Sequence, residues 1–168
     1  MKYFKKFFLV LFFLLILTGC KPGKQMKYEG KYFNLIFNVK YSTDYRLSQE
    51  KNDFRTAREE AVLISDNFKI GVETSKDLSN EEYNGDFNRF KSKYKDSVDF
   101  KEVKYGNLKG FRIYCEPYAR YELYFPVDNK YILRFNVYAF TNNKKSTTKV
   151  LKSSDVKQIF KYLDIEMK

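Results

Sequence analysis

The chain has 168 residues, 32 Lys and Arg against 21 Asp and Glu, a formal net charge of +11, and neither His nor Trp. That length fits one domain with a real core. The missing histidine removes the commonest general base, the usual third member of a Ser or Cys triad, and zinc sites of the ordinary His/Cys type.

The opening MKYFKK carries Lys2, Lys5 and Lys6, and Phe7 to Leu17 follows without a charge. A basic start, an apolar core of that length and a small-residue exit describe a secretory signal peptide. The run is shorter than the roughly 20 apolar residues a transmembrane helix needs. It closes on Leu17-Thr18-Gly19-Cys20. Small residues at 18 and 19 let an extended backbone enter a protease, and only a thiol makes a thioether. This stretch resembles the lipobox of bacterial lipoproteins. The resemblance implies cleavage between Gly19 and Cys20, a diacylglyceryl group on the Cys20 thiol, and often a further acyl chain on the new N-terminus. Two or more chains anchor stably where one is marginal. The expectation is a protein lipid-anchored at the extracytoplasmic face of the cell membrane.

Removing residues 1–19 takes three lysines, which leaves 29 basic residues against 21 acids, or +8. Such a charge suits lipid headgroups, anionic wall polymer or an acidic protein. Nucleic acid is not an expected partner of an exported domain, and simple solvation is the plain alternative. Cys115 is then the one remaining thiol, so no intramolecular disulfide forms. It lies in phase with Phe111 and Ile113 and reads as a small buried hydrophobe.

Residues 20–30, with Pro22, Gly23 and Lys21, Lys24 and Lys27, read as a lipidated cysteine and a basic tether. One globular domain, 31–168, follows. Phe33, Leu35, Phe37, Val39 and Tyr41 alternate with polar residues as a half-buried strand does. Tyr45 and Leu47 are candidates for a short strand. AVLIS (61–65) and FKIGVET (68–74) read as a hairpin turned at Asp66-Asn67. Ser79-Asn80-Glu81-Glu82 has the form of a capping box. Tyr83, Phe87, Phe90 and Tyr94 then make one apolar helical stripe, which is core before it is a ligand groove. Val98 to Tyr105 reads as a strand with a bulge near Lys101-Glu102. Gly106-Asn107 turns it into a strand over Leu108–Glu116, which Pro117 ends. Tyr121, Leu123 and Phe125 mark the next strand, Asp128-Asn129 a turn, and Tyr131 to Ala139 the longest strand. Residues 141–152 read as a basic loop with room for a helical turn. Ser154 caps a last helix carrying Val156, Ile159 and Phe160, and Ile165 and Met167 mark a final short strand.

The fold class expected is α+β: an antiparallel meander of about six strands with one face covered by two helices, behind an N-terminal signal helix. FNLIFNVKY, FKIGVET, SNEEYNGDFNRF, EVKYGNLKGFRIY and VKQIFKYLDIEM occur in an order that resembles PsbP-like/Mog1-type domains of small bacterial lipoproteins. The chain departs from that pattern at Tyr41-Ser42-Thr43-Asp44-Tyr45, where a Pro-x-Gly-Trp-like opening is usual. The resemblance implies scaffolding or accessory binding, not catalysis.

No enzyme is expected on the residues either. Ser65-Asp66-Asn67 matches the S-D-N of serine β-lactamases, but the S-x-x-K sequences at Ser92, Ser146 and Ser154 follow it in the wrong order and no K-T-G occurs. Adjacent Glu59-Glu60 and Glu81-Glu82 point two ways and read as solvated charge, with Glu82 as a cap. No cofactor and no metal is called for. Two binding surfaces are. Tyr114, Tyr124 and Tyr138 fall opposite the core phase of their strands, and exposed tyrosines suit a protein partner; a covering helix is the equal alternative. Lys144, Lys145, Lys149 and Lys152, with the tether lysines, suit anionic polymer or lipid. A pocket for a small ligand between sheet and helix is the minor third reading.

Overall fold

A computed structural model of the protein describes residues 23–30, 33–40, 43–51, 59–74, 85–127 and 131–168. The signal segment with Gly19 and Cys20, the capping box at Ser79 with Tyr83, and the Asp128-Asn129 turn lie outside the described residues.

The domain is α+β, with ten strands in two antiparallel sheets and three helices among the described residues. The strands are β1 (Lys24–Glu29), β2 (Phe33–Val39), β3 (Arg46–Lys51), β4 (Glu59–Ile64), β5 (Phe68–Thr74), β6 (Lys101–Tyr105), β7 (Leu108–Cys115), β8 (Arg120–Pro126), β9 (Ile132–Ala139) and β10 (Asp164–Met167). The helices are α1 (Phe87–Ser92), α2 (Lys144–Lys152) and α3 (Ser154–Lys161). The large sheet runs β3-β4-β5-β9-β8-β7-β6, and the small one β1-β2-β10. The single six-strand sheet read from the sequence is therefore two sheets, because β2 pairs with the chain ends β1 and β10 and not with the meander.

Alternation explains the inner core. Ile70 and Val72 of β5, Leu123 and Phe125 of β8, and Phe135 and Val137 of β9 fall on one face by period two. They share a core with Phe33, Leu35 and Phe37 of β2 and with Leu151, Val156, Ile159 and Phe160 of α2 and α3. The Phe160 ring lies 5.2 Å from Tyr105, 5.3 Å from Phe135 and 6.0 Å from Phe125.

The opposite face is covered too, which is the second of the two alternatives read from the sequence for that face. Phe87, Phe90 and Tyr94, the predicted stripe, pack with Phe100 onto Phe111, Ile113, Tyr124 and Ile132. Tyr121 through Phe125 are consequently all buried. A strand covered on both sides loses its polar alternation.

Four local differences stand out. Lys24–Glu29, read as tether, is a strand: all six residues pair with β2, and Tyr28 is buried against Phe33 at 5.8 Å. The parity change before β6 is a turn and not a bulge, with Asp99 left-handed at φ 55° and Val98 exposed. Residues 144–152 form a full helix. Asn143 caps it by accepting from Ser146 N at 2.9 Å, and Thr147 and Leu151 give it a buried side. The last helix is capped by Ser153, one residue before the Ser154 expected. The Gly106 turn stands as read, at φ 56°, and any Cβ there would sit 2.5 Å from the Lys161 carbonyl oxygen.

Phe160→Ala removes a ring that ties α3 to three strands. It should cost about 3–5 kcal/mol, read from urea unfolding by far-ultraviolet circular dichroism, since the chain has no Trp.

Candidate functional site

The tyrosines offered as an interaction surface, with a covering helix as the equal alternative, are not free surface. Tyr124 is 2 % exposed, under Phe90 and Tyr94 and stacked on Phe111 at 4.9 Å. Tyr114 is 6 % exposed, edge-on to Tyr121, with the Lys144 ammonium 4.9 Å above its ring. Tyr138 is half-buried and accepts from Arg120 Nη1 at 2.7 Å. Register also divides them. Tyr114 faces the inner core with Tyr121 and Leu123, whereas Tyr124 and Tyr138 belong to the outer face. They do not form one surface.

What the outer face holds instead is a polar layer. Arg120 donates to Glu122 from Nε at 2.8 Å and from Nη2, and Tyr124 Oη donates to Glu122 at 2.5 Å. Two residues along β9 lies the second pair, Arg134 with Glu73, and Asn136 Nδ2 donates to Glu73 at 3.0 Å. The two carboxylates are at most 13 % exposed. Asn136 Oδ1 and Arg134 Nε are buried without a partner. Burial pulls both arginine pKa values down, but Glu122 and Glu73 more than offset it, so both guanidinium groups stay charged. Every carboxylate of the layer is committed to a guanidinium, an amide or a hydroxyl. The layer therefore orients and rigidifies the sheet; it presents no nucleophile beside a base.

Other reactive candidates are occupied as well. Ser65 Oγ donates to the Phe68 carbonyl at 3.2 Å and accepts from the Phe68 and Asn67 amides, so it closes the β4–β5 turn. Burial, and then Glu122, push the Cys115 thiol up and keep it protonated. Among the described residues no group of three Asp, Glu or Cys is placed to hold a metal ion.

An exposed apolar end was missed by the sequence reading. Val98, Tyr118 and Phe140 are the large hydrophobic side chains left exposed among the described residues, at 42 %, 59 % and 57 %. All three lie at one end. Val98 O accepts from Tyr114 N, Tyr118 stands in the β7–β8 turn under the Arg120 guanidinium at 4.7 Å, and Phe140 follows β9. Thr147 of α2 ties to that turn by donating to Ala119 O at 2.9 Å. The signals were Pro117 before Tyr118 and a phenylalanine one place past the end of a strand.

Lys144 sits at the same end and reaches Asp99 at 3.2 Å, while Tyr121 Oη donates to Asp99 at 2.9 Å. The Tyr121 hydroxyl, and then Lys144, hold the Asp99 carboxyl below its ordinary range. Lys145, Lys149 and Lys152 are exposed along α2. A separate cavity of about 440 Å³ opens beside the β6–β7 hairpin, between Phe87 and Lys91 on one side and Lys104, Lys109 and Pro126 on the other. No helix among the described residues is long and apolar enough to cross a membrane. No protein-family model, no curated protein and no solved structure matches this chain.

Arg134→Met strands the Glu73 carboxylate and should cost about 3–5 kcal/mol, whereas the double variant Arg134→Met/Glu73→Leu should return most of that loss. Paired urea titrations distinguish the two. Alkaline pH provides a second check. Burial, and then Glu122, raise the Tyr124 hydroxyl pKa, and burial raises those of Tyr121 and Tyr105. Folded tyrosines then keep protons that the unfolded chain loses near pH 10. Stability contributed by these hydroxyls should be level below about pH 10 and fall above it. Tyr124→Phe should make that fall shallower in urea midpoints taken from pH 8 to 11.

Proposed function

We propose that the chain is an exported lipoprotein, held at the extracytoplasmic face of the cell membrane through acylated Cys20, which serves as a non-catalytic accessory protein that docks a protein partner. The observation that carries this reading is Leu17-Thr18-Gly19-Cys20 behind a basic start and an uncharged apolar run. Position, charge and apolar length agree there. The finer fold reading belongs to the same proposal: a PsbP-like/Mog1-type domain. Its support is the antiparallel sheet with α1 on one face and α2 and α3 on the other.

The docking surface in this reading is the end bearing Val98, Tyr118 and Phe140, in place of Tyr114, Tyr124 and Tyr138. Exposed aromatic anchors are the side chains that carry binding energy at protein interfaces. A second reading is electrostatic capture of anionic polymer or lipid. It is favoured by the exposure of Lys145, Lys149 and Lys152 along one helix.

Wild type, Cys20→Ala and Tyr118→Ser/Phe140→Ser should be compared by membrane fractionation, mass spectrometry of the N-terminal peptide, and copurification at low and high salt. Cys20→Ala should leave the membrane fraction and lose the acyl mass. The double variant should stay with the membrane, melt like wild type, and lose a defined envelope protein that wild type retains at high salt. An unacylated wild-type N-terminus would sink the anchor. Salt-labile anionic material alone would replace the protein partner by the electrostatic reading.

A further inference from the structure

The cavity beside the β6–β7 hairpin carries a charge arrangement that folding alone does not call for. Strand register sets Lys104 directly opposite Lys109, two residues from a tight turn. Side chains so placed lie about 5 Å apart at Cβ, and like charges there repel. The nearest acid on that face, Glu102, is taken by Lys91 at 2.7 Å. Neither Lys104 nor Lys109 has an ion pair or side-chain hydrogen bond. The register cannot slip to relieve them. Gly106 is seated against the Lys161 carbonyl, and Phe111 on the same strand is fully buried under α1. Lys104 and Lys109, both exposed, line the cavity together with Lys91 and Glu102, and its apolar wall comes from Phe87 and Pro126.

The geometry points to a phosphate-ester site, with Lys104 and Lys109 bridged by the oxygens of one phosphate and the ester substituent lying against Phe87 and Pro126. Lysine binds phosphate as a mobile point charge, so two of them facing across a strand pair can close on one anion from both sides. A bridging anion turns the repulsion into attraction. The apolar wall selects an ester over the bare ion, and the volume of about 440 Å³ lies in the range of small-molecule sites. The phosphate can come from a soluble ester or from a phospholipid headgroup. The site is separate from the α2 lysines and does not depend on the anchor at Cys20.

Two measurements on the full-length chain in neutral detergent test it. The first needs no ligand. Lys104→Gln relieves a repulsion, so it should raise Tm by about 1–4 °C at low salt. A fall in Tm would remove the premise. The second is a titration with glycerol 3-phosphate, followed by nuclear magnetic resonance of lysine amides. The Lys104 and Lys109 signals should shift and saturate. Lys104→Gln/Lys109→Gln should weaken binding at least tenfold, and Lys149→Gln/Lys152→Gln should leave it unchanged. Phosphatidylglycerol vesicles that displace glycerol 3-phosphate, where phosphatidylcholine vesicles do not, assign the site to a headgroup; a soluble ester that vesicles fail to displace assigns it to a free ligand. Shifts spread evenly over all lysines, absence of saturation, or equal weakening by the α2 variant would overturn the site.

Discussion

The middle strands of the seven-stranded sheet are buried on both sides and have no solvent face on which to discard polar side chains, and the rest of this molecule follows from that. β8 and β9 lie near its middle and carry Arg120, Glu122, Arg134 and Asn136 inward on the outer side. Each charge there must find an opposite one or be expelled, since an uncompensated buried ion costs several kcal/mol. The pairs Arg120–Glu122 and Arg134–Glu73 are the solution, and Tyr124, Tyr138 and Asn136 use their polar tips to complete them. Arg134–Glu73 joins β9 to the distant β5, and Arg120–Tyr138 joins β8 to β9, so these contacts also hold the register of the three strands.

The two faces divide the work differently. Inner-face packing is apolar and continuous from β2 through the large sheet to α3. Outer-face packing is a small aromatic cluster under α1, followed along the sheet by the charged layer. Such a layer contributes less to net stability than a well-packed apolar one, but it penalises misregistration heavily, because a shifted strand would bury an unpaired charge. The exposed hydrophobic side chains lie away from both, at the strand ends, where turns present Tyr118 and Phe140 without disturbing either core.

Much of the fold was legible because it is written in local chemistry. Asp66-Asn67 and Gly106-Asn107 mark hairpins by turn preference, and the helical stripe of Phe87, Phe90 and Tyr94 is a packing face whatever it packs on. What escaped depends on partners distant in sequence. KQMKYE has only Met26 and Tyr28 on its apolar phase and reads as strand only beside β2. The outer-face tyrosines alternate as surface residues do, and a ring with a polar tip looks the same in a sequence whether it meets water or Glu122. Helix α2 contains two threonines and four lysines, so composition argued against it, although Asn143 and the spacing of Thr147, Val150 and Leu151 announced it. The site residues divide: the opposition of Lys104 and Lys109 follows from the Gly106-Asn107 turn, whereas the apolar end is a fact of which turns come together.

The pairing of β1 changes the mechanics of attachment. With Lys24 already bonded into a sheet, the anchor proposed at Cys20 would lie no more than about 13 Å of fully extended chain from the strand. That distance is shorter than a domain of this size is wide, about 30 Å. The protein would ride on the bilayer as a rivet head, and not drift above it on a string. Its partners would have to come to the membrane surface to meet it.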